Sequence, residues 1–181
     1  MSTYEPLVRE MARANNIPEA LGVALVEVES GFDPDSVRAE PRYKYLWNVK
    51  TNRPFRRISD EELASCSAPK DFPSTPGVSR DTEFLLQKTS WGLGQLMGAN
   101  ARALGFKGKF FTRLCSDPAE GLRLAFLHLS NIARPYLPST GWQGVMAAYN
   151  AGSPRRAADG SWANQEYVDK IARALGGAWP K

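Results

Sequence analysis

The sequence predicts a mainly α protein: one domain over residues 1–181, with an irregular lobe inserted at 41–88. Three observations predict it. Apolar residues recur at helical spacing in several stretches, each bounded by residues that start or stop helices. Between 41 and 88 that periodicity fails, and prolines recur at Pro41, Pro54, Pro69, Pro73 and Pro76. Hydrophobic residues make up 43% of the 181, enough for one compact core and too many for a disordered chain.

Residues 3–15 place Leu7, Val8, Met11 and Ala14 on one helical face, with Thr3 as a capping residue. Pro18 suits the first position of a second helix. That helix buries Leu21, Leu25 and Val28 and ends at Ser30, because Gly31 and Pro34 forbid its continuation. Residues 33–40 read as a turn and a return segment. Within the insertion, Ser59-Asp60-Glu61-Glu62 starts one short helix, and the remainder is a hairpin or irregular. A segment of this length without regular structure usually has a function or is partly disordered. Its Tyr43, Tyr45, Trp47 and Phe55 alternate with Arg42, Lys44, Lys50, Arg53, Arg56 and Arg57. Such a mixture can stack on bases and meet phosphates, stack on sugar rings, or pack the lobe against the body.

Residues 90–104 are glycine-rich and then helical, with Gly105 as the C-cap. The glycines do not make a phosphate-cradling loop, since no Lys-Ser/Thr follows and no strand is expected before them. They let backbone come close to a ligand or to another helix. Asp117-Pro118-Ala119-Glu120 reads as a cap, a first-turn proline and a capping-box glutamate. The helix behind it carries Leu122, Leu124, Ala125, Leu127 and Leu129 around most of its circumference, so it is central, and His128 on it reads as a core or boundary histidine. A short helix over 142–151 is closed by Gly152, and an amphipathic one over 162–175 runs through Tyr167, Val168 and Ile171.

The formal net charge is +4. That suits an anionic partner such as a bacterial wall, a membrane surface or nucleic acid without choosing among them. No run approaches the roughly 20 apolar residues of a membrane span, and the N-terminus has no basic start followed by an apolar core, so synthesis in the cytoplasm without a signal peptide is expected. Cys66 and Cys115 have no metal-like spacing; two free thiols are expected, with a disulfide left open. His128 is the only histidine, which excludes histidine triads and multi-histidine metal sites unless it acts alone. No metal and no cofactor are expected.

The chemistry centres on Glu29. A carboxyl at a helix C-terminus faces the negative end of the macrodipole, and apolar side chains, if they crowd it, penalise its charged form. Both effects hold a proton on it, which is what an acid catalyst needs to protonate a leaving oxygen. Taken alone, an exposed glutamate in a last helical turn is the plainer reading.

Three segments change that reading. Glu29-Ser30-Gly31-Phe32-Asp33-Pro34, Gly92-Leu93-Gly94-Gln95 and Ala148-Tyr149-Asn150-Ala151-Gly152 occur in this order. They resemble the Glu-Ser, Gly-Leu-Met-Gln and Ala-Tyr-Asn-Ala-Gly motifs of the soluble lytic transglycosylase (SLT) domain of the lysozyme superfamily. The long gap between the first two resembles phage-type members with an insertion. The resemblance implies a lysozyme-like, goose-type helical fold and a substrate, the β-1,4 bond between N-acetylmuramic acid and N-acetylglucosamine in peptidoglycan, cleaved to a 1,6-anhydromuramyl end. It implies Glu29 as acid and then base, and Ser30 as a residue positioning the glutamate or the N-acetyl group. Gly92, Leu93 and Gln95 would floor the sugar site, Tyr149 would hydrogen-bond near Glu29, and Asn150 would hold the helix end or the acetamido group. It further implies a monomer that binds peptidoglycan glycan strands and no specific nucleic acid. Such a protein acts on the wall after release as an endolysin or as part of a virion.

Two departures from the pattern bear on the reaction. Gly94 stands where the family has Met, and Met97 stands where goose-type lysozymes carry Asp. The second favours transglycosylation over hydrolysis. Asp81 and Glu83 are candidate second acids in the insertion; either would restore an inverting muramidase if it stood about 6.5–9.5 Å from Glu29. A fold retained for glycan binding or structure alone is the reading outside enzymes. Arg155 and Arg156 read as solvated charge or as contacts for stem-peptide carboxylates.

Overall fold

The computed structural model describes residues 2–65 and 67–181. The chain divides into two compact units, Met1–Phe32 with Ala125–Lys181 and Asp33–Leu124. The fold is mainly α with a small antiparallel sheet, as the sequence predicts.

The first unit contains α1 (Glu5–Ala14), α2 (Glu19–Ser30), the later part of α7 (Pro118–Ala151) and α8 (Gln165–Ala174). Helix α1 buries Val8 and Ala12. It approaches α2 closely at Gly22, where a Cβ would stand 2.7 Å from that of Ala12. Leu21 and Leu25 are buried as expected, with Ala24 and Val26 beside them, while Val28 is half-buried. Two helix starts differ from expectation. The residue before α1 is Tyr4, not Thr3, and it offers no side-chain cap; Pro6 in the first turn lacks the N–H that would need one. Pro18 stands just before α2 and not inside it. Helix α7 is broken at Gly141, whose φ of 62° and ψ of −176° are not helical, so residues 142–151 form a segment of their own, as the sequence predicts. Asp117 caps the start of α7 through Glu120 N–H at 3.2 Å. The reciprocal half of the expected capping box is missing, because the Glu120 carboxylate pairs with Arg123 instead.

The second unit holds an antiparallel sheet in the order β1-β4-β5, formed by Val37–Ala39, Thr89–Trp91 and Leu96–Met97. Strand β4 therefore does precede the glycine-rich segment, against expectation. A second strand follows that segment before α5 (Gly98–Ala103), so a phosphate loop is still not formed. The insertion contains the hairpin β2 (Trp47–Asn48) and β3 (Arg53–Pro54). It also holds α3 (Asp60–Ala64), whose Ser59–Glu62 capping box is complete, and α4 (Arg80–Gln87), a helix the sequence does not announce. Leu46, Ile58, Ala68, Phe72 and Phe84 give this lobe a core, against which Tyr43, Phe55 and Leu63 pack. The short α6 (Arg113–Ser116) completes the unit. Cys115 on it is buried with a free thiol, and Cys66 lies outside the described residues. Among the described residues no helix is long and apolar enough to cross a membrane, and no cluster of His, Cys, Asp or Glu could hold a metal ion.

Candidate active site

Glu29 occupies the last turn of α2, where no basic side chain offsets the negative helix end. Gly31 stops the helix with φ 60° and ψ 28°, and its N–H closes onto the Glu27 carbonyl at 3.0 Å. No atom lies within 4 Å of where its Cβ would be, so the backbone conformation, not space, calls for glycine there. Phe32 follows with φ 65°, a left-handed conformation that is strained in a non-glycine residue. The chain thus turns sharply off the helix directly behind the carboxyl.

Helix α8 packs on α2, and its Tyr167 hydroxyl donates a 2.6 Å hydrogen bond to Glu29 Oε1. Burial holds the Tyr167 phenol well above its ordinary pKa, helped by the charge of Glu29 and by this hydrogen bond. Tyr149, near the end of α7, is likewise pushed up by burial and then by the Glu29 charge. Both phenols therefore keep their protons, and the carboxyl is oriented by a neutral donor. The His128 ring lies 5.7 Å from that of Tyr149. Burial lowers its pKa to about 4, so it is neutral near pH 7, as a boundary histidine would be.

A second hydrogen-bond set fixes α8 to α7. Asn164 Nδ2 donates to the Ala147 carbonyl at 3.1 Å and to Asn150 Oδ1 at 2.8 Å. The Asn164 carbonyl in turn accepts from Tyr167 N–H at 3.0 Å. Asn150 is thereby joined to the start of the helix that carries Tyr167. The Ser30 hydroxyl donates to the Val26 carbonyl at 3.1 Å, a bond within its own helix. Of the sequence-predicted residues, the structure brings Glu29, Ser30, Tyr149 and Asn150 into this unit. Tyr167 is the residue that sequence reasoning placed only as an amphipathic-face side chain. Its signal was a phenol on an otherwise aliphatic buried face, beside Val168 and Ile171.

Gly92, Leu93 and Gln95 belong to the second unit. Gly92 has φ 67°, and a Cβ there would stand 2.6 Å from the Leu114 carbonyl oxygen; its glycine permits a close approach to α6. Leu93 is buried, 2% exposed. Gln95 has φ 47°. Its amide donates to the Ser36 and Gly92 carbonyls, each at 3.0 Å, and its Oε1 accepts from Ser90 Oγ at 2.8 Å. That side chain locks the β4–β5 turn to the return segment beside it.

The insertion's acids have other partners. Glu83 is fully buried, and its carboxylate takes two 2.9 Å bonds from Arg102 and one each from Gln87 and Thr75. Asp81 accepts the Ala68 N–H at 2.8 Å. Both are committed to holding the lobe. Arg156 stacks on Trp162, 3.4 Å from the ring centroid, and Arg155 is exposed.

The helices and small antiparallel sheet are those of a mainly α, lysozyme-like domain, in which Glu29 lies at a helix end beside two protonated phenols. The chain belongs to the transglycosylase SLT domain family, whose model matches residues 6–172. Lytic transglycosylase activity on peptidoglycan is the general function that membership gives. No curated protein and no solved structure matches the chain.

Proposed function

We propose that the protein cleaves the β-1,4 bond between N-acetylmuramic acid and N-acetylglucosamine by intramolecular transglycosylation, with Glu29 as the single acid and base. The observation that carries this reading is the Tyr167–Glu29 hydrogen bond, which aims one carboxyl from a helix end. The engagement of Glu83 by Arg102 supports it, because it leaves the insertion without a spare buried acid.

Glu29 protonates the glycosidic oxygen as the C1–O4 bond breaks. The muramyl N-acetyl carbonyl oxygen bonds to C1 and takes the place of a protein nucleophile, as in substrate-assisted glycosidases. Glu29, now a carboxylate, removes the proton from the C6 hydroxyl. O6 attacks C1 and expels the acetamido oxygen, which leaves a 1,6-anhydro ring and a protonated Glu29. No water is consumed. Tyr167 and Tyr149 hold the carboxyl in one rotamer through both transfers, and Ser30 and Asn150 steady the ends of α2 and α7. General acid and base steps of this kind contribute about 10²–10⁴-fold each.

Mass spectrometry of digested sacculi tests the reading. Anhydromuramyl ends, one water lighter than reducing ends, are expected; reducing ends would overturn it in favour of a muramidase. The same proposal includes a bacteriolytic role, as an endolysin or a virion-borne lysin, and predicts clearing of cells whose inner membrane has been permeabilised.

A further inference from the structure

The β2–β3 hairpin has two faces of different chemistry. Trp47 pairs with Pro54 and Asn48 with Arg53, and Phe55 N–H donates to the Leu46 carbonyl at 2.8 Å. Alternation along the strands sends Leu46 and Phe55 to one face, where they join the core of the lobe. It sends Tyr45, Trp47 and Pro54 to the other. Tyr45 there is 68% exposed, more than the other exposed large hydrophobic side chains described.

The outward aromatics are braced. Trp47 Nε1 donates to Asn52 Oδ1 at 3.3 Å. Tyr43 meets the Tyr45 ring edge-on at 5.8 Å and is itself anchored by a 3.0 Å bond from its hydroxyl to Asn100 Oδ1. An exposed ring held from behind loses little freedom when a ligand covers it. Lys44 stands at this face, its Nζ 5.8 Å from the Tyr45 ring centroid; Arg42, Lys50 and Arg57 lie in the same segment, and residues 41–58 contain no acid. None of these four has an ion-pair partner among the described residues, whereas Arg56 is clasped by Glu62 and Asp71.

We propose that the outward face of this hairpin is a second binding surface for peptidoglycan, separate in role from the cleavage residues. Sugar rings stack their apolar C–H faces on Tyr45 and Trp47, and the cationic rim meets the free carboxylates of the stem peptides. The proposal rests on peptidoglycan being the substrate. It predicts a preference for glycan that still carries its peptides, because only that polymer supplies both a stacking face and negative charge.

Co-sedimentation of the full chain tests it, using sacculi stripped of phosphate polymers with hydrofluoric acid, with stem peptides either intact or removed by an amidase. Tyr45→Ser and the double variant Lys44→Glu/Lys50→Glu alter exposed side chains only. Each is expected to weaken binding to intact sacculi about tenfold, the scale of one lost stacking contact. The charge-reversal effect should shrink on peptide-free glycan and at high salt, and the Tyr45→Ser effect should persist. Both variants should retain wild-type turnover on a short soluble glycan fragment. Wild-type binding by both variants overturns the proposal, and so does a loss confined to single-stranded DNA. Retention only on sacculi that keep their phosphate polymers overturns the assignment to stem-peptide carboxylates. If the wild-type chain cuts no glycan fragment while both variants lose sacculus binding, the cleavage reading fails and the surface stands.

Discussion

The Tyr167 hydroxyl donates to Glu29 Oε1 at 2.6 Å. Burial and the neighbouring charge keep that phenol protonated, so the donor is present around neutral pH. Removing it should therefore affect the reaction more than substrate binding. Tyr167→Phe is expected to lower kcat about 10–100-fold with KM within about twofold, as for loss of one preorganised donor. Glu29→Gln, which removes the proton itself, should lose about 10³-fold or more. Release of anhydromuropeptides measures both, and a Tyr167→Phe enzyme with wild-type kcat would show that the bond does not position the acid.

Glu83→Gln addresses the lobe. It leaves Arg102, 4% exposed, without its countercharge, and breaking such a buried pair costs about 3–5 kcal/mol. Urea denaturation should show that loss, while the folded fraction keeps its cleavage rate and still makes anhydro ends. A stable Glu83→Gln protein that has lost cleavage would instead make Glu83 a catalytic acid.

His128 gives stability a pH dependence. Its folded pKa of about 4 lies below the unfolded value of 6.5, so the unfolded chain binds the proton first. The stabilisation is complete above pH 6.5 and is lost as pH falls toward 4. The full loss should be on the order of 2 kcal/mol once the shift is discounted for partial exposure. Thermal melts of wild type and His128→Gln across that window should converge as pH falls, and parallel curves would exclude His128 as the source.

Gly31→Ala tests the helix stop. With φ at 60° and open space around the Cβ, the substitution adds only backbone strain, about 1–2 kcal/mol. Both stability and kcat should fall, since the strain is relieved by moving the turn that carries Glu29. Unchanged melting would show that the turn tolerates a side chain.

The helix-end positions of the candidate residues were legible in the sequence, because short-range rules set them. Glu29 before Gly31, and Tyr149 and Asn150 before Gly152, are helix-end residues marked by their own caps, and the structure places them at helix ends. Tyr167 was not legible as a partner of Glu29, because that contact joins residues 138 apart and no local rule encodes it. Helix α4 escaped for a different reason. Its buried positions are Glu83, Phe84 and Gln87, so two polar side chains sit where an apolar period would be sought. They are tolerated there because Arg102 and the Trp47 backbone satisfy them. The roles offered for Gly92 and Leu93 depended on neighbours such as Leu114, which sequence spacing cannot supply.

The unit that carries Glu29 is assembled from two stretches far apart in sequence, Met1–Phe32 and Ala125–Lys181. On the ribosome the acid emerges 138 residues ahead of the phenol that donates to it. Throughout that interval the nascent polypeptide holds the carboxyl without its brace. A product cut short before Tyr167 would contain Glu29 and lack the hydroxyl that orients it.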